Sequence, residues 1–389
     1  MKRRIAIVGA SGLVGAALTE RLVERGTDEI VALIHSSGSA WRLTRRGLPL
    51  QQVDLLDRDA LGTTISGCTH VVNCSRGDDK VMFTGLGNLL SAARTARVRR
   101  FVHLSSVMVY GDPPHPASIN EDAPTLPAAR SYGAIKLAQD QMVAKAASAG
   151  LSAVTLCPPN IGGPYSYYFN SLVGLLRSGE FALLDDGSAV CNIVDVDNLA
   201  HAIIAALDDG PEDGRRLFIT DDEPLVWSDL IGALAPIAGI SLQDVPRVSR
   251  EALSAYRPKD RPRASLAKSL KHLISSDVRQ AMRKDPLWER IDQGLRATVA
   301  RLGSATETRM RLSIEGPMRP EKGRRRAGLN YAMCAQQLRG VRHSNARARE
   351  LLSYQPPHSF SQGIGAYAAW YRAHHGLDTG FADLISKLS

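Results

Sequence analysis

Cysteine is scarce in this 389-residue chain, and what there is does not cluster. Cys68, Cys74, Cys157, Cys191 and Cys334 are odd in number, far apart and without a Cys-x-x-Cys pair. That excludes a disulfide framework and a thiolate zinc site. Long apolar runs are missing too. The N-terminal stretch MKRRIAIVGASGLVGAAL places basic residues before an apolar run, as a secretory signal does, but the run is short, interrupted by three glycines and without a cleavage region. It reads as a buried strand entering a helix, in a cytoplasmic protein with no membrane span. With 44% hydrophobic and 22% charged residues nothing marks the chain as disordered, and its length suffices for one large domain or two smaller ones.

Net negative segments are not balanced by diffuse positive charge. Of the Lys and Arg residues, 21 lie between Val245 and Gly328 against 9 acidic ones, leaving 27 against 30 elsewhere, so the net charge of +9 belongs to that one segment. Aromatic residues scarcely accompany it: only Tyr256, Trp288 and Tyr331 lie in or beside it, which argues against specific nucleic-acid binding. It remains open as a helical lid over an anionic substrate, an oligomerisation arm, an acidic-partner surface, an anionic-membrane patch or a solvated basic face.

The first 160 residues alternate strand-like and helix-like runs: RIAIVGA, GAALTERLVERG, EIVALIH, HVVNCS, GLGNLLSAARTARV, RFVHLSS, AIKLAQDQMVAKAASAG and SAVTLCP. Short strands alternating with helices predict an α/β fold with a doubly wound parallel sheet, its ligand crevice at the carboxyl ends of the strands. The expected division is a dinucleotide-binding domain over 1–164, with segments near 190–225 adding to it. A substrate lobe over 165–389 carries the basic insertion 245–328.

Two short patterns carry chemistry. GASGLVG supplies Gly9, Gly12 and Gly15 at a strand-to-helix turn, where backbone must approach a pyrophosphate and the helix N-terminus offers amides. SYGAIK sets Tyr132 four residues before Lys136, on one helix face, either as a proton-transfer pair or as two surface side chains. The second strand ends at His35, Ser36 and Ser37, with Arg42 and Arg45 nearby and no carboxylate for an adenosine ribose, so NADP is favoured over NAD.

The chain also resembles the extended short-chain dehydrogenases/reductases. The opening glycines, VDLLD at 53–57, NLLSAARTARVRRFVHLSSVMVYG at 88–111, INEDAPTLPAARSYGAIKLAQDQMV at 119–143 and LCPPNIGGP at 156–164 stand in that family's order, and the similarity returns at SNARARELLSYQP and AAWYR. The resemblance implies a Rossmann domain with a smaller C-terminal substrate lobe and a homodimer formed through a four-helix interface. It implies Tyr132 as general acid/base, Lys136 binding the nicotinamide ribose and lowering the tyrosine's pKa, and Ser106, with Ser105 as the alternative, bonding the substrate oxygen. It implies cofactor contacts from Gly9, Ser11, Gly12, Leu13 and Gly15, with His35, Ser36 and Arg42 at the ribose. Asp54 and Leu55 meet the adenine, Cys74 and Ser75 line the cofactor, and Pro158 with Asn160 flanks the nicotinamide. Val107 and Asn160 would face the substrate, and Asn192 reads either as a ligand for a neutral polar substrate or as a loop-capping residue.

Two departures narrow the activity. The dehydratases of that family carry an acidic residue one or two positions after the catalytic Ser or Thr; here Val107 and Met108 follow Ser106. Sugar-nucleotide members present an arginine to the diphosphate where this chain has Cys191, leaving Arg339, Arg342 or the basic insertion as replacements. The expected function is an NAD(P)-dependent oxidoreductase interconverting a hydroxyl and a ketone on a sugar or specialised metabolite. The alternatives are an epimerase that retains NAD and a non-catalytic cofactor sensor.

Overall fold

The computed structural model describes residues 2–36, 40–44, 47–257 and 328–375. Ser37, Arg45, Trp288 and most of the basic insertion lie outside them. Seven parallel strands form one sheet: β1 (Arg4–Val8), β2 (Glu29–Ile34), β3 (Leu50–Gln52), β4 (His70–Asn73), β5 (Arg100–Leu104), β6 (Ala153–Cys157) and, after three short strands outside this sheet, β10 (Asp213–Phe218). Their order is β10-β6-β5-β4-β1-β2-β3. The chain leaves β1 in one direction, then crosses back to β4, and the crevice that ligands use in such sheets opens where the order reverses.

A parallel sheet is covered on both faces, so its strands are apolar throughout rather than alternating. In β1, Ile5 and Ile7 face one side with Leu18 and Leu22 of α1 (Leu13–Arg25) and Leu199 and Ile203 of a later helix. Ala6 and Val8 face the other side with Leu61 of α3 (Arg58–Ile65), Leu89 of α4 (Leu86–Thr95) and Val143 of α5 (Tyr132–Ser148); the helix α2 (Trp41–Thr44) lies between α1 and α3 in the chain. Each fully buried Leu or Ile contributes roughly 1.5–3 kcal/mol.

The C-terminal lobe has its own core. It combines α6 (Tyr167–Ser178), α8 (Trp227–Ala238) and the last helix, Phe360–His375, whereas the later helix over Val196–Asp208 (α7) packs on the main sheet. Phe169, Leu172, Leu230, Ile231 and Tyr367 meet there. The small strands β7 (Asn160–Gly162) and β9 (Ile193–Asp195) pair in parallel, as do β8 (Leu183–Leu184) and β11 (Arg247–Val248). The segment just before the last helix returns to the first core, where Ala348, Leu352 and Tyr354 pack.

Arg100, the first residue of β5, ties one end of the sheet to α7. Its side chain is buried, with Nε donating to the carbonyl of Ala206 at 2.7 Å, Nη1 to Pro211 at 2.7 Å and Nη2 to Asp209 at 3.1 Å. These are carbonyls at and beyond a helix C-terminus that have no partner within the helix. Replacing Arg100 with Met keeps the stem and removes every donor, so we expect a loss of about 3 kcal/mol of stability in urea denaturation. A loss below about 1 kcal/mol would show that water replaces the guanidinium without cost.

Candidate active site

The loop after β1 folds tightly onto itself. Gly9 has φ of +76°, and a Cβ there would lie 3.0 Å from the Cys74 backbone; one at Gly15 would lie 2.3 Å from the Gly9 carbonyl oxygen. The first turn of α1 therefore sits on that carbonyl, which also accepts from Gly12 N at 3.0 Å. Gly12 caps α1 without a side chain, so the amides beginning at Leu13 are left to a ligand. Ser11 stands half-buried in the same turn. A dinucleotide fits this cradle, because the three glycines let the turn close backbone against backbone and its phosphates can accept from the amides at the start of α1.

Around the cradle, expected residues divide. Cys74 and Ser75 follow β4 against Gly9, and Asn73 Oδ1 accepts from both the amide (3.1 Å) and the hydroxyl (2.6 Å) of Ser75. Burial pushes the Cys74 thiol up to about 12, so it is a packing group rather than a nucleophile. Asp54 and His35 are exposed and Ser36 half-buried. Leu55 is corrected: its side chain packs into the core under the sheet, leaving only backbone for an adenine. Arg42 is corrected as well. It forms a two-point ion pair with Glu20, at 2.9 and 2.5 Å, and its guanidinium lies 4.2 Å from the centre of the Tyr165 ring. Only Nη1 is left, buried and without a partner.

At the start of α5, Ser131 caps the helix by accepting from Ala134 N at 3.2 Å, which makes Tyr132 the first helical residue. Gly133 follows because nothing larger fits: a Cβ would stand 2.1 Å from the Met108 carbonyl oxygen. Helix α5 thus rests on the 3₁₀ turn Val107–Tyr110 that Ser106 opens, its Oγ accepting from Met108 N at 3.2 Å. Tyr132 is 37% exposed, and its hydroxyl has no hydrogen bond among the described residues. Lys136 is buried, its Nζ 6.0 Å from the centre of the Tyr132 ring and donating to Leu104 O and Gln139 Oε1, both at 2.9 Å. One ammonium proton is therefore left for a ribose hydroxyl.

Burial lowers Lys136 to about 8 and raises Tyr132 above its usual value; the cation opposing that rise is Arg76, 5.1 Å over the ring, rather than Lys136. Arg76 was not singled out in the sequence, since a lone arginine 56 residues before the tyrosine carries no signal of contact. Ser105 is buried with Oγ unpartnered.

The expected substrate residues fare differently. Val107 is corrected: it is buried in a cluster with Val109, Tyr110 and Phe218, while its amide donates to Pro158 O at 3.2 Å. Both ends of the Asn192 amide are engaged, Nδ2 donating to Val341 O at 2.7 Å and Oδ1 accepting from His343 N at 3.1 Å; it fastens a loop, the second of its two readings. Asn160 Nδ2 donates to Gln336 Oε1 at 3.1 Å, an oxygen that also accepts from the Tyr168 hydroxyl at 3.3 Å. Cys191 is buried in the lobe core, Arg339 grips Asp112 at 2.8 and 3.0 Å, and Arg342 donates to the Asp222 carbonyl at 3.0 Å. Among the described residues no His, Cys, Asp and Glu cluster could hold a metal ion, and no helix is long and apolar enough to cross a membrane.

Residues 5–218 match the model of the NAD dependent epimerase/dehydratase family. A 4-hydroxy-2-methyl-3-oxo-4-farnesyl-3,4-dihydroquinoline-1-oxide ketoreductase of Stigmatella aurantiaca is 27% identical over 252 residues, which are 62% of this chain and 75% of that one. A dTDP-6-deoxy-L-talose 4-dehydrogenase (NAD(P)(+)) of Kitasatospora kifunensis is 30% identical over 234 residues, 53% of this chain and 70% of its own. The solved UDP-glucuronic acid 4-epimerase of Bacillus cereus, in complex with NAD, aligns over 96% of this chain and 99% of its own with a TM-score of 0.62 at 16% identity, a likeness of fold.

The glycine cradle makes a prediction that needs no substrate. Gly15→Ala forces the Gly9 carbonyl away from α1, so affinity for NADH and NADPH in fluorescence titration should fall by at least about 10-fold while circular dichroism stays unchanged. Undiminished affinity would remove the cradle from the cofactor site.

Proposed function

The chain belongs to the NAD dependent epimerase/dehydratase family, and we propose that within it this protein is an oxidoreductase that interconverts a hydroxyl and a ketone, with Tyr132 moving the proton. The observation that carries this reading is the pairing of a buried Lys136, holding one spare ammonium proton, with an unpartnered Tyr132 hydroxyl one turn away. When bound, the nicotinamide dinucleotide supplies or accepts the hydride. Gly9, Ser11, Gly12, Leu13 and Gly15 would hold its phosphates, Ser75 and the backbones of Leu55, Cys74 and Pro158 would line it, and Lys136 would bond its ribose. For reduction, Ser106 donates a hydrogen bond to the carbonyl oxygen and Tyr132 gives that oxygen its proton. The Lys136 ammonium stabilises the phenolate left behind.

What supports a substrate without a diphosphate is the state of the cations. Cys191 stands where sugar-nucleotide members have an arginine, and the Arg339 fork is closed by Asp112. We therefore put a ketoreductase acting on a sugar or specialised metabolite ahead of a nucleotide-sugar epimerase with retained NAD. What supports NADP is the absence of a carboxylate at the end of β2, where His35 and Ser36 stand; Arg42, engaged by Glu20, adds no free fork. Five free cysteines, four of them buried, agree with a cytoplasmic setting, and a homodimer is the assembly we propose. A non-catalytic sensor would have no use for the Tyr132 and Lys136 pair.

The deciding experiment identifies nucleotide released from the purified protein and then follows NADPH absorbance with a panel of ketones. Stoichiometric consumption supports the reductase; NAD retained at one per chain without net absorbance change moves the epimerase ahead. Tyr132→Phe should lower turnover by at least about 100-fold and leave cofactor affinity intact. Turnover that survives would remove Tyr132 from the chemistry.

The pH profile follows from the two shifts. Lys136 is lowered, so its ammonium is lost as pH rises through about 8, whereas Tyr132 is raised and keeps its proton over that range. The kcat/KM for NADPH in the reductive direction should therefore be full below that pH and fall above it. A profile flat through pH 9 would contradict this assignment.

A further inference from the structure

One turn beyond Lys136 on the same face of α5 lies Asp140, completing a row at positions 132, 136 and 140. It is 2% exposed, and neither carboxylate oxygen has a hydrogen-bond partner among the described residues. The same holds for Nε2 of His103, a fully buried residue on β5, and for Oγ of Ser105. Buried polar atoms are nearly always bonded, so four orphans in one place call for a functional account. His103 Nε2 stands 3.9 Å from Asp140 Oδ1, and Arg216 Nη1 of β10 stands 3.7 Å from Oδ2.

The hydrogen-bond network assigns the tautomer of His103. Because Ser75 donates twice to Asn73 Oδ1, the amide nitrogen of Asn73 faces His103 and donates to Nδ1 at 3.2 Å. A ring nitrogen that accepts carries no proton, so the proton of the neutral imidazole sits on Nε2, turned toward Asp140. Burial, and the Lys136 charge after it, hold His103 well below its usual value, and it stays neutral. Hydrogen bonds thus run from Ser75, in the loop against the glycine cradle, through Asn73 to His103, whose Nε2 stands 3.9 Å from the Asp140 carboxylate.

Lys136 needs such a group. Its direct partners, Leu104 O and Gln139 Oε1, are neutral, and burial disfavours the ammonium. Of the ionisable groups that act on it, Arg76 opposes the charge, while the thiols of Cys74 and Cys157 are pushed so far up by burial that they are neutral. Asp140 alone among them can be negative near neutral pH. Burial raises the Asp140 carboxyl to about 7, opposed by the Ser105 hydroxyl, which lies near without meeting it in hydrogen-bond geometry, and by the Arg216 and Lys136 charges.

We propose that Asp140, buried beside His103 and one helical turn from Lys136, is a positioning residue that keeps Lys136 protonated inside the protein. The inference deepens the proposed function and rests on it only for its kinetic consequence, since the charge of Lys136 is measurable without turnover.

The test is a ¹³C NMR titration of the full chain labelled at lysine Cε, with Lys136→Arg used to assign the signal. In Asp140→Asn the carboxylate is gone and the shape kept, so the Lys136 midpoint should fall by at least about one pH unit, and Asp140→Glu should restore most of it. The alkaline limb of the NADPH pH profile should move down with it. In the unaltered protein the same signal should show a smaller first step near pH 7 as Asp140 ionises, which decides the matter even if Asp140→Asn does not fold. An unshifted Lys136 midpoint in Asp140→Asn, even with activity lost, or a single-step titration of the unaltered protein, overturns the proposal. A shifted midpoint in a protein whose Tyr132→Phe form turns over normally would leave this inference standing and remove the proposed function instead.

Discussion

A backbone carbonyl with no room beside it sets the geometry of the site. Met108 O, in the turn that Ser106 opens, lies where a Cβ of residue 133 would have to be, so α5 can rest on that turn only because Gly133 has no side chain. The candidate site residues on α5 depend on this contact. It fixes the height of Tyr132 relative to Ser106 and, through the helical repeat, the depth at which Lys136 and Asp140 enter the protein. A similar close approach, Gly15 against the Gly9 carbonyl, sets the cradle at the other end of the crevice.

Between these two contacts the electrostatics are those of a buried charge. Lys136 carries its ammonium where water does not reach, bonded to one main-chain carbonyl and one side-chain amide. Gln139 is itself held by donating to Met82 O at 2.6 Å, so the acceptor does not swing away. The cost of desolvation shows as a lowered value for Lys136 and raised ones for Tyr132 and Asp140, three groups on one helix face pushed toward neutrality by the same cause. Lys136 and Asp140 are thereby brought close to each other near neutral pH, while Tyr132 moves away from both.

The arginines tell the opposite story. Arg21, Arg42, Arg339, Arg347 and Arg349 are each closed by a carboxylate from another part of the chain. They fasten segments to one another, and most are exposed enough that each pair adds little stability by itself. Each of these guanidinium forks is engaged within the protein.

The sequence by itself determined the parallel sheet, the glycine cradle and the Tyr132 and Lys136 pair, because each depends on residues close along the chain: a strand's run of apolar residues, a turn of seven residues, a spacing of four. It left Asn192 as a ligand or a loop cap and Arg42 as a phosphate contact or a surface residue, and only the tertiary structure shows what each one meets. Asn192 meets Val341 and His343 across some 150 residues, and Arg42 meets Glu20 on a neighbouring helix. Arg76 over Tyr132, and Asp140 without a bond beside His103, were likewise decided only by folding. Local patterns report the periodicity a backbone imposes on its own side chains. Whether a polar group is free or engaged depends on what packing brings to it from elsewhere, and no local pattern carries that information.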